Sequence, residues 1–160
     1  RPAGIKIVEV TSADEMFDAC MEASESAGVI VKAAAVGDYR PAERAEQKIK
    51  RGGKDTMTLE LVQNRDIAAE LGRRKRPGQL LVGFAAETQN VLENAQKKMA
   101  EKNLDMIVSN DVLAPGAGFA VDTNAVTIMA RGAEPVRFSG TKDETASRIL
   151  DSISALAAGK

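Results

Sequence analysis

The chain has 160 residues, 22 Lys and Arg against 23 Asp and Glu, and a formal net charge of -1, which suits one domain of ordinary size and gives no sign of a nucleic-acid or membrane-surface binder. Histidine is absent and cysteine occurs once, at Cys20; this excludes Ser–His and Cys–His nucleophile pairs, the commonest transition-metal ligand and an internal disulfide, and it suits a reducing cytoplasm. No apolar run approaches the ~20 residues of a membrane-spanning helix, no signal peptide is visible, and aromatic content of 3% argues against stacking of nucleic-acid bases as a main activity.

In chain order, residues 5–10 read as a short strand. Ser12 and Glu15 make a capping-box pattern that opens a helix with Ala13, Met16, Phe17, Cys20 and Ala23 on one face, and Gly28 closes it. Residues 29–36 are a continuous apolar run broken only by Lys32, the pattern of a strand buried on both faces. Residues 37–55 are polar and rich in charge. In residues 56–62, Met57, Leu59 and Leu61 alternate with Thr58 and Glu60, which predicts a strand with one wet face. Ile49 and Gly52-Gly53 ahead of it suggest a hairpin arm over residues 47–62. A short helix is predicted over residues 66–74 with Asn64 as its cap, and Pro77-Gly78 marks a turn.

Residues 80–86 and 104–109 read as further buried strands, with a helix over 90–103 between them. A loop bearing Gly and Pro covers residues 110–123. Two strands, 125–130 and 135–138, flank Arg131-Gly132 as a second hairpin. Thr141 and Glu144 form another capping box, and the last helix carries Ala146, Ile149, Leu150, Ile153 and Leu156 on one face.

Buried strands alternating with amphipathic helices predict one α/β domain, three-layered and Rossmann-like, with a mostly parallel sheet. Ligands bind such sheets beyond the carboxyl ends of the strands. The loops beginning near Gly37-Asp38, Gln63-Asn64, Ala86-Glu87 and Asn110-Asp111 are therefore expected to share one rim. No G-x-G-x-x-G or Walker pattern is present. With the opening Arg1-Pro2-Ala3-Gly4 leading straight into a strand, the expectation is a chain that begins midway through its domain.

Several groups of residues can carry chemistry, each with a plainer role beside it. Lys98 and Lys102 lie four residues apart on one helix, Lys102 within the apolar arc and Lys98 at its edge. Neighbouring ammonium groups call for an anion such as a triphosphate, yet two lysines snorkelling at a helix end fit the same spacing. Gly37-Asp38-Tyr39-Arg40-Pro41 offers a carboxylate for a ribose or a metal ion, or a simple turn. The flat stretch Lys32-Ala33-Ala34-Ala35 exposes peptide groups to a base edge. Lys48-Ile49-Lys50-Arg51 supplies a mobile lysine to a reacting phosphate, or a solvated charge run. Asn64-Arg65-Asp66-Ile67 opens a helix whose free amides suit an anion, or is only a cap. Gly83-Phe84-Ala85-Ala86-Glu87-Thr88 ends a strand where Phe84 stacks on a base or packs in the core. Asn110-Asp111-Val112 is a strand exit or a turn.

Six segments taken together resemble one family: Ala33-Ala34-Ala35-Val36-Gly37-Asp38-Tyr39, Lys48-Ile49-Lys50, Asn64-Arg65-Asp66-Ile67, Gly83-Phe84-Ala85-Ala86-Glu87-Thr88, Lys102-Asn103-Leu104-Asp105 and Ser109-Asn110-Asp111-Val112. They are similar, in order and over nearly the whole chain, to the synthetase half of the bacterial bifunctional phosphopantothenoylcysteine decarboxylase/phosphopantothenate–cysteine ligase. The resemblance implies a ligase that uses CTP and Mg²⁺ to join 4'-phosphopantothenate to cysteine through an acyl-cytidylate, in coenzyme A biosynthesis. It implies that Lys32, Ala33, Ala34, Arg65, Asp66, Ile67, Ala68 and Phe84 border the nucleotide, chiefly its cytosine. Asp38 would hold the ribose or metal. Lys48, Lys98 and Lys102 would hold phosphates, with Lys48 nearest the chemistry. The hairpin arm would make a homodimer. The family's N-terminal segment with its Gly-rich loop is missing from this sequence, as is the decarboxylase domain that binds FMN, so the chain alone is expected to lack part of its site. Arg65 departs from the Pro or Lys usual beside Asn64. Two other readings stand against this one: a nicotinamide-dependent reductase, which the absent glycine motif disfavours, and a non-catalytic Rossmann-like nucleotide-binding or oligomerisation module.

Overall fold

The computed structural model describes residues 4–50, 55–87, 90–111 and 123–159. Along the chain run α1 (Ala13–Ser24), β1 (Val29–Lys32), β2 (Tyr39–Pro41), β3 (Leu61–Gln63), α2 (Ile67–Arg74), β4 (Leu80–Glu87), α3 (Val91–Glu101), β5 (Met106–Asp111), β6 (Thr123–Ala130), β7 (Val136–Thr141) and α4 (Lys142–Ala158). The main sheet has the order β1-β4-β5-β6-β7, and β2 pairs with β3 in a separate two-stranded sheet. β1, β4 and β5 pair in parallel, while β6 is antiparallel to both its neighbours, so only β6 runs against the other four strands. The expected α/β fold with a mostly parallel sheet therefore holds.

Side chains alternate between the two faces of the sheet. Leu81, Ala85 and Ile107 face α1, α2 and α3 and pack with Phe17, Leu71, Ala95 and Met99. Leu80, Val82, Met106 and Val108 face the other way and pack with Ile149 and Ile153 of α4. Three layers result. Each fully buried aliphatic side chain contributes about 1.5–3 kcal/mol of burial free energy.

The caps explain where helices start. Thr141 and Glu144 form a reciprocal capping box at α4. At α1, Ser12 accepts from the Glu15 amide, and the Glu15 carboxylate accepts chiefly from the Thr11 amide and hydroxyl, with Ser12 as a weaker donor. At α2 the cap is Asp66, which accepts from the Ala69 amide, and not the expected Asn64.

Several expectations are corrected. Residues 5–10 form no strand, because no described neighbour offers them a ladder; Ile5, Ile7, Val8 and Val10 are exposed. The run at 29–36 is not buried on both faces. β1 ends at Lys32 and, among the described residues, lies at the sheet edge with β4 as its one partner; Val29 and Val31 are exposed at 42% and 45%. Helix α1 stops before Gly28, with Glu25 in the right-handed region as its cap, and it buries Met21 where Ala23 was expected. The strand expected at 56–62 is confined to Leu61–Gln63, and its partner is β2, which the sequence pattern did not reveal. The Gly52-Gly53 turn, Thr88 and residues 112–122 lie outside the described residues. Gly132 turns the β6–β7 hairpin with a φ of 78°, a conformation that favours glycine.

Two residues expected on the core face of α4, Ala146 and Leu150, are exposed, and Thr145 is buried instead. Leu150 is 61% exposed, whereas Ile149 beside it is buried. We predict that Ile149→Ala destabilises the domain by about 2–4 kcal/mol in chemical denaturation and that Leu150→Ala changes it by no more than ~0.5 kcal/mol.

Candidate functional site: a charged cleft beside helix α2

Four separated segments converge on a small cleft of about 80 Å³. Lys32 ends β1, Asp38 follows it, Asp66 caps α2, and Lys102 follows the last turn of α3; all four line the cleft. Parallel strands deliver their following loops to one side of a sheet, and α2 and α3 pack on the same face.

Asn64 fixes the loops. Its amide N–H donates to the Asp38 carbonyl at 2.7 Å and its Nδ2 to the Gly37 carbonyl at 2.8 Å. Arg40 Nη1 donates to Asn64 Oδ1 at 2.9 Å. The residue expected to cap a helix instead straps the exit of β1 to the exit of β3.

The Lys102 ammonium lies 2.8 Å from Asp66 Oδ2. Burial pushes the Asp66 carboxyl up, but hydrogen bonds from Lys102 and the Ala69 amide outweigh it and hold the group below its ordinary value. The Lys32 ammonium is pushed down, first by burial and then by the charge of Lys102, against the pull of Asp66, Cys20 and Asp38. Two ammonium groups thus share one half-buried cleft. Such a site favours an added anion, because like charges in a low-dielectric setting repel until one is supplied.

The other candidate residues fall in distinct places. Ala33 and Ala34 are exposed at the exit of β1. Ile67 and Ala68 are buried in the first turn of α2, so only their backbone can face a ligand. Arg65 turns towards α1. Its Nε lies 3.1 Å from Asp14, its Nη1 lies 2.9 Å from Asp18, and its guanidinium stacks 3.8 Å above the Phe17 ring. Arg65 therefore docks α2 on α1. Lys48 stands exposed in the polar connection between β2 and β3. Lys98 is half-buried one helical turn before Lys102 and does not line the cleft. Phe84 is 37% exposed and by alternation shares the face of Val82, opposite α2 and α3, so it is neither core nor part of this cleft wall.

Among the described residues, no group of three or more acidic, cysteine or histidine side chains is placed to hold a metal ion. Asp38 is the one cleft carboxylate not tied to Lys102, which fits a hard cation carried by ligand phosphates better than one caged by protein. Two larger cavities, of about 520 and 370 Å³, flank the β6–β7 turn at residues such as Ile128 and Met129. Their charged lining is Arg131 and Glu134, with Asp105 in the larger one, whereas the smaller cleft gathers Lys32, Asp38, Arg65, Asp66 and Lys102. Sequence reasoning named Lys32, Asp66 and Lys102 separately and missed the pairing of Asp66 with Lys102.

Comparison with known proteins agrees with this fold. The family model for the DNA/pantothenate metabolism flavoprotein C-terminal domain matches residues 1–156. A Bacillus subtilis (strain 168) protein named coenzyme A biosynthesis bifunctional protein CoaBC is 47% identical over 80% of this chain and 31% of its own length. A CoaBC protein of Mycobacterium bovis is 41% identical over 99% of this chain and 40% of its own length. A protein from an unknown prokaryotic organism, named cysteine/cysteine sulfinic acid decarboxylase, is 44% identical over 93% of this chain and 42% of its own length. The chain thus spans less than half the length of these curated relatives. The crystal structure of a CoaBC C-terminal domain superposes with a TM-score of 0.80 at 38% identity, covering 99% of this chain and 71% of that one. A Streptococcus pneumoniae DNA/pantothenate metabolism flavoprotein shares the fold at 19% identity with the same TM-score, covering 98% of this chain and 76% of that one. The chain belongs to the DNA/pantothenate metabolism flavoprotein C-terminal domain family.

Proposed function

We propose that this chain is the nucleotide-binding part of a CTP-dependent ligase that forms the amide between 4'-phosphopantothenate and cysteine in coenzyme A biosynthesis. The observation that carries the proposal is the meeting of Lys32, Asp38, Asp66 and Lys102 in one cleft, drawn from four distant segments. The relatives named for coenzyme A biosynthesis point the same way.

In this reading, a carboxylate oxygen of phosphopantothenate attacks the α-phosphorus of CTP, and pyrophosphate leaves. The cysteine amine then attacks the acyl carbon, the acyl–oxygen bond breaks, and CMP leaves as the amide forms. Lys102 and Lys32 hold phosphate oxygens, with Lys98 on the approach. A cleft of about 80 Å³ takes a phosphate or a ribose edge, not a whole nucleotide, so the remainder would lie along Ala33, Ala34 and the backbone from Arg65 to Ala68. Phe84 would touch the cytosine only from the far side of the sheet edge. Lys48, from its polar loop, would neutralise charge that develops on the phosphates. Asp38 would bind the ribose or one face of Mg²⁺, which lowers the charge of the triphosphate. FMN would belong to a decarboxylase domain outside this chain.

The arm over residues 47–62 would pair two chains into a homodimer. Met57, Leu59 and Leu61 are each more than half exposed, and an apolar stripe of this kind seeks a partner. No helix among the described residues is long and apolar enough to cross a membrane, in keeping with a cytoplasmic setting.

CTP with Mg²⁺ at a hundred times its Kd should stabilise the fold by about 2.7 kcal/mol, raising Tm by several degrees, and ATP or NADPH should do less. Equal shifts in differential scanning fluorimetry would remove the ligase proposal. Changing Lys98 and Lys102 together to Ala should abolish the CTP shift; an undiminished shift would return both lysines to a role at the helix end. Leu61→Asp should convert a dimer to a monomer in sedimentation analysis, and an unchanged sedimentation coefficient would refute the arm.

A further inference from the structure

Lys102 lies just past the end of its helix, yet its ammonium reaches the opposite end of a neighbouring helix. What sets that reach is visible at Gly72. A Cβ placed on Gly72 would lie 2.0 Å from the Lys102 carbonyl oxygen and 3.3 Å from Asn103 Cβ, so the two backbones touch with no room for a side chain. Gly72 sits within α2, a position where glycine costs helix stability relative to alanine, and it is buried there.

Asn103 completes the contact. Its Nδ2 donates to the Gly72 carbonyl at 2.9 Å, and its backbone is left-handed with φ 50°, which ends α3 and turns the chain towards β5. Lys75 Nζ donates to the Asn103 carbonyl at 2.6 Å. Asn103, the residue after Lys102, is thereby held through both its side chain and its carbonyl. From this seat the Lys102 side chain runs back along α2, from Gly72 to the cap, and meets Asp66 Oδ2 at 2.8 Å.

We infer that Gly72, together with Asn103, is a positioning residue for Lys102: the absent side chain lets the end of α3 settle on α2 at the depth from which the Lys102 ammonium reaches the cleft. The inference rests on the proposal that Lys102 holds a nucleotide phosphate. A methyl group at Gly72 pushes the Lys102 backbone outward and lengthens the span its ammonium has to cover to reach Asp66.

Two readouts test this in the whole chain. The first needs no nucleotide. Carboxyl ¹³C NMR follows the titration of Asp66, whose proton affinity is lowered by Lys102. Gly72→Ala should raise the Asp66 midpoint towards the value measured in Lys102→Ala. A folded Gly72→Ala protein in which Asp66 titrates as before overturns the inference. The second readout is a double-mutant cycle on the Kd for CTP with Mg²⁺. Gly72→Ala should weaken binding by about tenfold, the scale of one charge-assisted hydrogen bond, but by less than about twofold when Lys102 is already Ala. Equal weakening in both backgrounds marks general damage to the fold and overturns the inference. Should Gly72→Ala fail to fold, Asn103→Gly tolerates the left-handed backbone and removes the bond to Gly72 together with the longer, 3.3 Å contact from Arg131. It should move the Asp66 titration in the same direction, and an unmoved midpoint again overturns the inference. A Lys102→Ala protein that binds CTP normally refutes the nucleotide-site proposal itself, even where Gly72→Ala still moves the Asp66 titration and so shows Lys102 being positioned.

Discussion

The structure depends on one buried carboxylate. Asp105 Oδ2 accepts from the Leu81 amide at 2.8 Å and from Lys75 Nζ at 2.9 Å. The side chains of this ion pair are only 12% and 9% exposed, so its partners must be in place whenever the protein is folded; a buried charge without them is strongly destabilising. The backbone of Asp105 is engaged as well, donating to the Leu81 carbonyl and accepting from the Arg131 amide. A single residue therefore ties the end of α2, the start of β4, the turn from α3 to β5 and the β6–β7 hairpin. Arg131 reinforces the node by donating to the Leu104 carbonyl.

This node lies at the amino ends of the parallel strands, where stability rather than chemistry is usually concentrated, and the candidate cleft draws on it from above. Helix α3 is anchored at its carboxyl end by the node and by the Gly72 contact, so Lys102 is a charged residue on a fixed base. Asp66 is fixed too, as the cap of α2. Their ion pair is about half exposed and adds little to stability by itself. Its consequence is electrostatic: it keeps an ammonium beside Lys32 at the place where the loops after β1 and β3 meet.

The two faces of the sheet are covered unequally. Three helices share one face, and α4 alone packs on the other, over β6 and β7. Val29, Val31 and Phe84 are exposed for that reason and not because they are polar positions. Their composition is that of core, while the face they share is left uncovered among the described residues.

The elements with strong local signals were legible in the sequence. The capping box at Thr141, the hairpin at Gly132, the central strands and the helix preceding Asn103 all follow from side-chain periodicity and from residues whose backbone preferences are local. Apolar composition also identified the inner strands β4 and β5, which are flanked on both sides and bury Leu80, Leu81, Val82, Met106, Ile107 and Val108. What the sequence could not decide was which strands would find neighbours. Residues 5–10 and 29–32 have equally strand-like patterns, yet only the second gains a ladder, because pairing depends on what lies alongside in space. The same holds for the cleft. Lys98 and Lys102 were paired by helical spacing, but the tertiary structure sets Lys102 beside Lys32 and Asp66, residues 70 and 36 positions away. Arg65 was legible as a charge, and only packing against Asp14, Asp18 and Phe17 assigned that charge to α1. The sequence by itself determined the elements and their chemistry; the packing of α2 on α3 decided which of those charges meet, because the distance between two side chains is fixed by backbone contacts that no local pattern encodes.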